Sequence, residues 1–597
     1  MQQKCSCIKW LALVLCMLPL CAQLLGANQA SRPDDRPNVV LILIDDLSHY
    51  GVTAYGADRI GSFREAFEVQ KFSTPRIDRL AEQGVLCNRA YTYPLCESTR
   101  IALMSGQNNN RNYLDCKAQH ESDITFGDIF KRAGYATGIF GKWKQSRGTP
   151  DTHAKDYIFK FGWDEFTCFD VVGERQRFIN PNLVINGTIN NFEGRTDKDP
   201  ATGRRWYGPD ICNRHALDFI ERHKDVPFFV YYPMMLVHDD HKPTPDTRPK
   251  RIFDTFDEVN HNRDGHTGDD HKYFPDMIAY TDKLIGKVVD KIDELNLTEK
   301  TLIIVMGDNG TKEVFFHVLP DGTVYPARKG GNTDNGIHVP LLLRQPGTIP
   351  SGNDGKMRRY DGLVHLTDIF PTIAEAAGVD VPNPDSIDGI SFWKQATGAP
   401  GEPRKMIHGW YTGNNPYTAK DVLLEYAFDK NFKRYAPDKD FPNGRFFDLR
   451  TDLLEREGSH FKEYKFKVRR YSGLQMDKLT KEQQDGYKRL GAYLDEMQMV
   501  HVEALKIQEG IARLKAGEQH QLACQIIPEA ATRRNVIWES SDPDVLSVDK
   551  FGVMTAHKPG KVTIRVFSWD DARPMAKNLK QAYFRTGIQD RLEVQVR

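Results

Sequence analysis

"PNVVLILIDD" (residues 37–46) is an unbroken apolar, largely β-branched run that ends in two aspartates. Such a run is typical of a strand buried on both faces of a parallel sheet. Similar runs alternate along the chain with amphipathic, helix-like segments. The alternation comprises a helix and strand within 125–143, a strand at 226–235, a helix at 274–297, strands at 301–310 and 338–347, and a helix at 366–378. This pattern predicts one doubly wound α/β domain over roughly the first four hundred residues.

The pattern changes twice after that region. From about residue 401 the chain shows short aromatic strands and turns, and then a long polar helix at about 478–500. The last ninety or so residues show short alternating strands separated by Gly, Pro and Asp turns, which is typical of a small β-sandwich. We therefore predict an α/β domain at 31–400, a smaller antiparallel-sheet subdomain at 401–504 and an all-β domain at 505–597.

The N-terminus has the organisation of an export signal. Lys4 and Lys9 precede the apolar run "WLALVLCMLPLCAQLLGA", and small residues follow it. This order predicts a secretory signal peptide at 1–30, with a membrane anchor as the alternative on grounds of length. No later segment is apolar enough to span a bilayer, so we expect an exported protein without a stable membrane span once the signal is cleaved.

Charge and cysteine content exclude several classes of protein. The 81 basic residues (Lys and Arg) balance the 81 acidic ones, so net charge gives no argument for a nucleic-acid partner. Six cysteines lie beyond the signal peptide, too few and too scattered for a disulfide framework in 597 residues. A single disulfide, such as Cys168–Cys212, is compatible with the sequence.

Acidic and amide side chains follow two of the predicted strands. Asp45 and Asp46 end the first strand, and Asp308 and Asn309 follow "TLIIVMG". In open α/β sheets ligands bind outside the carboxyl ends of the strands. Four oxygen ligands without His or Cys suit a hard cation, so we predict Ca²⁺ here, with Mg²⁺ as the second choice.

Cationic side chains follow other predicted strands. Lys142 follows "ATGIFG", His238 follows "PFFVYYPMMLV", and Lys329 precedes the strand at 338–347. Together with a metal ion at the same sheet edge, these groups would bind a tetrahedral oxyanion and stabilise charge during its transfer.

One further segment connects these features to a known family. Cys96-Glu97-Ser98-Thr99-Arg100, continuing into "IALMSG", resembles the C-x-P/A-x-R segment of type I, formylglycine-dependent sulfatases of the alkaline-phosphatase superfamily. "PNVVLILIDDLSHYG", "AGYATGIFGKW", "MGDNG" and "FFDLRTDLLE" resemble further segments of that family in the same order, over about residues 37–455. The resemblance implies an alkaline-phosphatase-like sulfatase fold, with a large mixed, mostly parallel sheet between helices and a smaller C-terminal antiparallel subdomain.

The resemblance also implies a role for each site residue. Cys96 would be oxidised to formylglycine by a formylglycine-generating or anaerobic sulfatase-maturating enzyme, and the hydrated aldehyde would attack sulfur. Arg100 would orient that group. Lys142, His238 and Lys329 would bind the sulfate, and the last two would protonate the leaving alcohol. Asp45, Asp46, Asp308 and Asn309 would hold the metal.

Two positions depart from the family pattern. The family has His where this chain has Lys144, in "GKWK", and that His helps to deprotonate the hydrated aldehyde. Lys144 is the candidate replacement if its pKa is depressed, and His153 is the alternative. Ser98 stands where the maturation segment prefers Pro or Ala.

The C-terminal region resembles a second family. "VIWESSDPDVLSVDKFGVMTAHKPGKVTIRV" follows the pattern of bacterial Ig-like modules of group 2. The two resemblances together imply a sulfuric ester hydrolase acting on a sulfated carbohydrate in the bacterial periplasm, at the cell surface or outside the cell. The alternatives are a phosphatase or phosphodiesterase of the same superfamily and a non-catalytic protein that binds sulfated glycans.

Overall fold

The computed structural model describes residues 35–597 except 65–67, 113–117, 147–153, 175, 257–270, 354–355, 412–423, 439, 465–467 and 569–587. The signal peptide expected at 1–30 and the alternative base His153 lie outside the described residues.

A ten-stranded sheet forms the centre of the N-terminal region. Its strands are β1 Asn38–Ile44, β2 Val85–Cys87, β3 Ala136–Lys142, β4 Glu165–Phe169, β5 Asn182–Ile185, β6 Thr188–Asn191, β7 Phe228–Pro233, β8 Thr301–Gly307, β9 Leu341–Arg344 and β10 Arg358–Tyr360. Their order is β10-β2-β9-β8-β1-β7-β3-β4-β5-β6. The five central strands, β8 to β4 in that order, are parallel, whereas antiparallel pairs occur on both flanks. The predicted mixed α/β sheet is confirmed.

Strand β1 is buried on both faces, as its apolar run predicts. Val40, Ile42 and Ile44 belong to one apolar core. The alternate residues Val39 and Leu41 belong to a second core on the opposite face. Helices α1 Pro75–Glu82, α4 Gly208–Arg222 and α5 Phe274–Glu294 cover the first face, and α2 Cys96–Ser105, α3 Phe126–Arg132 and α6 Ile369–Ala377 cover the second.

One predicted strand is divided in two. The run at 338–347 forms His338–Val339, which pairs with Ala90–Tyr91 in a small sheet, and then β9 in the main sheet. Pro340 stands between them, and proline cannot donate a ladder hydrogen bond. The apolar run therefore contributes one short strand to each of two sheets.

Smaller elements complete the N-terminal region. Strands Arg59–Ser62, Gln70–Lys71, Phe315–Val318 and Val324–Pro326 form one sheet, and Val364–His365 joins Ala90–Tyr91 in another. Short helices lie at Asn109–Asn112, Arg251–Thr255, Asp334–Ile337 and Trp393–Thr397. None of the helices in the described ranges is long and apolar enough to cross a membrane.

The next region is an antiparallel sheet against one helix. Ile407–Tyr411, Leu424–Phe428, Phe432–Tyr435 and Arg445–Asp448 form the sheet, and His460–Tyr464 pairs with Val468–Tyr471. The polar helix predicted at about 478–500 is α7 Lys481–Glu496. It starts later than predicted because Thr480 caps it, accepting a hydrogen bond from the Gln483 backbone N–H.

The C-terminal region is all β. Its strands are Ala504–Gln508, Arg513–Leu514, Gln519–Gln521, Ala523–Ile527, Val536–Ser540, Leu546–Val548, Val553–Ala556, Gly560–Ser568 and Gln589–Val596. Leu546, Met554 and Ile564 lie in its separate apolar core. The predicted small β-sandwich is confirmed.

Charged hydrogen bonds attach this sandwich to the α/β region. Lys550 Nζ donates to the Asp123 carbonyl oxygen at 2.9 Å, to Asp128 Oδ2 at 3.0 Å and to the Lys160 carbonyl oxygen at 2.7 Å. Arg111 Nη1 donates to the Thr532 carbonyl oxygen at 2.7 Å. The sandwich is therefore docked directly on the α/β region.

The structure shows whether Cys168 and Cys212 form the disulfide that the sequence allows. Cys168 on β4 and Cys212 on α4 are both free and buried. Cys168 Sγ donates to the Ile139 carbonyl oxygen and Cys212 Sγ to the Thr167 carbonyl oxygen. The structure does not form the Cys168–Cys212 pair.

Gly141 is the residue whose backbone most constrains the position of Lys142. Its φ is +138°, and a Cβ would lie 1.9 Å from the Pro233 carbonyl oxygen of the neighbouring strand. Gly134 has φ +83° with nothing within 4 Å of a Cβ. We predict that Gly141→Ala lowers the free energy of unfolding by about 3 kcal/mol, whereas Gly134→Ala costs about 1 kcal/mol. Urea unfolding followed by fluorescence measures both; equal costs would contradict the steric argument.

Candidate active site

The predicted metal ligands meet at one edge of the central sheet. Strands β1 and β8 are parallel neighbours with Ile44 opposite Gly307, so Asp45 and Asp308 leave the sheet side by side. The carboxylate oxygens of Asp45, Asp46 and Asp308 lie within 4.8 Å of one another, and all three residues are buried. The Asp46 backbone N–H donates to Asp308 Oδ1 at 2.9 Å, and Asn309 Nδ2 donates to Asp46 Oδ1 at 2.7 Å.

Three cationic side chains surround these carboxylates. Arg100 donates through Nη2 to Asp308 Oδ2 at 2.8 Å and through Nη1 to the Lys142 carbonyl oxygen at 2.9 Å. Lys142 Nζ lies 2.6 Å from Asp45 Oδ2, and Lys329 Nζ donates to Asp46 Oδ2. Three carboxylates thus face three cationic groups, and their charges balance when all three carboxylates are ionised.

The cluster shifts the pKa values of its members in opposite directions. Burial alone would raise the pKa of Asp45, but the charge of Lys142 and the other nearby cations outweigh it and hold the pKa well below its usual range. Burial raises the pKa of Asp308, and the neighbouring Asp45 raises it further. Burial alone would lower the pKa of Lys329, but Asp46 outweighs it, so the pKa is raised and the ammonium form is favoured.

The donor set fits a hard divalent cation. Asp45 Oδ1 and Asn309 Oδ1 are buried without a hydrogen-bond partner among the described residues. Two oxygens bound to one Ca²⁺ at 2.3–2.6 Å lie at most about 5 Å apart, in keeping with the 4.8 Å spread of the carboxylates. Asp45, Asp46, Asp308 and Asn309 could therefore hold such an ion, with Asp45 Oδ1 and Asn309 Oδ1 as the two oxygens that make no hydrogen bond among the described residues.

Cys96 is the first residue of α2 and faces the same cluster. Its ligand atom lies within 4.8 Å of those of Asp45 and His238. Burial raises the pKa of the Cys96 thiol to about 12, and the neighbouring Glu97 adds to the shift. Cys96 Sγ donates to Glu97 Oε2 at 3.4 Å.

His238 is oriented by the residue that follows it. Its Nδ1 lies 2.6 Å from Asp239 Oδ1 and also contacts the Asp239 carbonyl oxygen. Its Nε2 lies 3.0 Å from Lys329 Nζ. Burial lowers the pKa of His238, and the charges of Lys142 and Lys329 lower it further. Lys312 Nζ, 3.0 Å from Asp239 Oδ2, stabilises the Asp239 carboxylate.

The structure separates Lys144 from the other sequence-predicted site residues. Its ammonium pairs with Asp170 Oδ2 at 2.7 Å. Its backbone has φ +56°, which turns the chain immediately after β3. Among the described residues no hydrogen bond or ion pair connects Lys144 to the carboxylate cluster. The base predicted from the sequence therefore makes no polar contact with the other site residues. The other nine residues come together: Asp45, Asp46, Cys96, Arg100, Lys142, His238, Asp308, Asn309 and Lys329.

Sequence reasoning did not assign roles to Glu97 and Asp239. Glu97 lies inside the Cys96 segment, and Asp239 directly follows His238. Each is an acidic residue adjacent in sequence to a predicted catalytic group. Adjacency to a predicted catalytic residue could have suggested Glu97 and Asp239 as site residues. It does not decide the matter, because the course of the backbone determines whether adjacent side chains enter the same pocket.

Comparisons with known proteins agree with this geometry. The sulfatase family model matches residues 37–379, and the model of the bacterial Ig-like domain (group 2) matches 501–573. An N-acetylgalactosamine-6-O-sulfatase of Bacteroides thetaiotaomicron is 26% identical over 454 residues, covering 63% of this chain and 81% of that protein. Human arylsulfatase D is 24% identical over 486 residues, covering 68% and 76%.

Solved structures share the fold. Ps i-CgsB, determined in complex with k-i-k-neocarrahexaose, has a TM-score of 0.52 and 22% identity, covering 71% of this chain and 88% of that one. A structure described under the metabolism of multiple glycosaminoglycans by B. thetaiotaomicron has a TM-score of 0.52 and 20% identity, covering 77% and 99%. The chain belongs to the sulfatase family, with a bacterial Ig-like domain at its C-terminus, and is a sulfuric ester hydrolase.

We predict that the carboxylate cluster makes stability depend on a divalent cation. Calcium should raise the thermal midpoint of chelator-treated protein, because an ion at 100 times its Kd stabilises the native state by about 2.7 kcal/mol. Asp308→Asn should reduce the rise, and Asp197→Asn, an exposed surface carboxylate, should not. Differential scanning calorimetry with and without Ca²⁺ measures this; no shift with either Ca²⁺ or Mg²⁺ would contradict the cation site.

Proposed function

We propose that this chain removes sulfate from a sulfated carbohydrate, using a formylglycine made from Cys96 and one bound Ca²⁺. The observation that carries the proposal is the position of Cys96, whose Sγ lies within 4.8 Å of one ligand atom each of Asp45 and His238. In this proposal the nucleophile, the oxyanion-binding lysines and the metal ligands act on one sulfate group.

The state of the thiol supports the modification. A thiol whose pKa is raised to about 12 is protonated at neutral pH and is a weak nucleophile. An aldehyde at this position, once hydrated, supplies a hydroxyl that attacks sulfur and a second hydroxyl whose ionisation regenerates the aldehyde. Arg100, fixed by Asp308 and the Lys142 carbonyl oxygen, points its guanidinium into the same space.

Charge balance supports an anionic substrate. When ionised, the three carboxylates cancel the charge of the three cationic side chains. A divalent cation bound by the oxygen ligands would add two positive charges and act as a Lewis acid on a sulfate oxygen. Lys142 and Lys329 would then be partly released from their carboxylates to hold the remaining sulfate oxygens.

The hydrogen bonds of His238 support Lys329 as the donor of the leaving-group proton. His238 Nδ1 contacts two acceptors on Asp239, so Nδ1 carries the proton and Nε2 is the acceptor. Lys329 Nζ donates to that Nε2. Lys329 would protonate the leaving alcohol, and His238, held by Asp239, would position the ammonium group.

Glu97 is our candidate for the base that the family pattern places at Lys144. Glu97 is buried, and its Oε2 is 3.4 Å from Cys96 Sγ. A carboxylate at this distance would accept the proton of the second hydroxyl. The Lys144 ammonium instead forms an ion pair with Asp170.

The relatives and the appended domain support a substrate class and a location. N-acetylgalactosamine-6-sulfatases are among the relatives, which supports a sulfated carbohydrate as the substrate. The bacterial Ig-like domain supports export to the periplasm or cell surface, where the N-terminal segment would act as the signal. Conversion of Cys96 requires a maturating enzyme as a partner.

We predict opposite outcomes for the two candidate bases. Glu97→Gln should lower kcat at least about 100-fold, because a general base contributes 10²–10⁴. Lys144→Ala should change kcat less than about threefold, since among the described residues its ammonium pairs with Asp170 and with no member of the cluster. Steady-state rates of sulfate release distinguish them, after peptide mass spectrometry has shown that both variants retain the wild-type modification. If Lys144→Ala instead lowers kcat strongly and Glu97→Gln does not, Lys144 is the base.

Activity of Cys96 variants tests the proposed function itself. Wild-type protein, expressed with a maturating enzyme, should release sulfate from 4-nitrophenyl sulfate or from sulfated hexosamines. Cys96→Ala should lose at least about 1,000-fold of that activity, because the nucleophile is removed. Cys524→Ala, in the Ig-like domain, is the matched control and should keep it. Equal rates for Cys96→Ala and wild type would reject the proposal.

A further inference from the structure

The structure contains a cavity that the mechanism above does not use. Its volume is about 390 Å³, which lies within the range of small-molecule pockets. Arg177, Asn182, Asp240 and Lys242 line it. We call it the Arg177 pocket.

Two contacts place the Arg177 pocket beside the sulfate-binding groups. The Arg177 guanidinium lies 5.1 Å from the ring centre of Phe169, and Phe169 is opposite Lys142 in the parallel pairing of β3 and β4. Neighbouring strands are only about 4.8 Å apart. On the other side, Asp240 lies two residues after His238. The Arg177 pocket therefore lies next to the strand end that carries Lys142.

Unpaired polar atoms mark the Arg177 pocket as a binding site. Arg177 Nη1 and Asn182 Oδ1 are buried without a hydrogen-bond partner among the described residues. One is a donor and the other an acceptor, and buried groups of both kinds are normally paired. The guanidinium is held on its faces by Phe169 and Phe178, so it is pre-oriented for a ligand.

The chemistry of the lining discriminates between substrate classes. Two cationic side chains, Arg177 and Lys242, face two carboxylates, Asp240 and the exposed Glu193. Charges that balance do not select a polyanion, and one ring, Phe178, is too little apolar surface for a steroid or aryl group. Sugar hydroxyls both donate and accept, so they match a lining of mixed donors and acceptors.

We propose that the Arg177 pocket binds the sugar ring that carries the sulfate ester and that Arg177 Nη1 donates to an oxygen of that ring. This inference rests on the proposed function. It makes Arg177 a specificity-determining residue, because an aryl sulfate would leave its donor unpaired.

The test compares two substrates in one variant. The probes are 4-nitrophenyl sulfate, which has no sugar, and the best-cleaved member of a panel of monosulfated galactose, N-acetylgalactosamine and N-acetylglucosamine. In Arg177→Gln, the ratio of kcat/KM for the sugar to kcat/KM for the aryl ester should fall about ten- to hundredfold. Arg222→Gln, which removes a surface guanidinium paired with Glu165, should leave both values unchanged.

Each other outcome has a defined meaning. An unchanged ratio, or an equal fall for both substrates, would overturn the sugar subsite while leaving the sulfatase function intact. If wild-type protein cleaves neither probe, the proposed function itself fails and the subsite fails with it. Arg177→Lys, which keeps the charge but not the planar fork, should give an intermediate ratio and replaces Arg177→Gln should that variant not fold.

Discussion

The mutual repulsion of Asp45, Asp46 and Asp308 is the constraint on which the rest of the site depends. Three buried carboxylates within 4.8 Å are unfavourable unless cations offset them. The parallel pairing of β1 with β8 forces this proximity. Arg100, Lys142 and Lys329 reach the cluster from three different elements, so the α/β fold is needed to assemble the charge balance. With all three carboxylates ionised, these six groups carry no net charge. The divalent cation that we propose would make the site positive, which suits a sulfate ester.

Much of this arrangement is predictable from sequence, because strand ends converge. Asp45-Asp46 and Asp308-Asn309 directly follow apolar runs, and parallel strands bring such ends together without any detailed knowledge of loops. Lys142 is equally predictable, since it ends a strand. The sandwich at the C-terminus follows from its turns and short alternating strands. These inferences need only the periodicity of the apolar residues and the order of strands and helices along the chain.

Other features depend on backbone geometry that a sequence pattern does not report. Lys144 is two residues from Lys142, yet its positive φ turns it toward Asp170. Glu97 enters the site because α2 begins at Cys96. Pro340 divides one apolar run between two sheets. The Arg177 pocket combines residues of two segments, 176–193 and 240–242, and loops carry specificity because a rigid sheet positions them.

The mass of the tryptic peptide that contains Cys96 tests the central claim most directly. Protein purified from a host with a maturating enzyme should give a peptide about 18 Da lighter than the cysteine form, because an aldehyde replaces a thiol. That result would place the aldehyde between the metal ligands and the sulfate-binding lysines, as the account requires. Full sulfatase activity in protein whose Cys96 peptide keeps the unmodified mass would contradict it, since a protonated thiol would then be sufficient for catalysis.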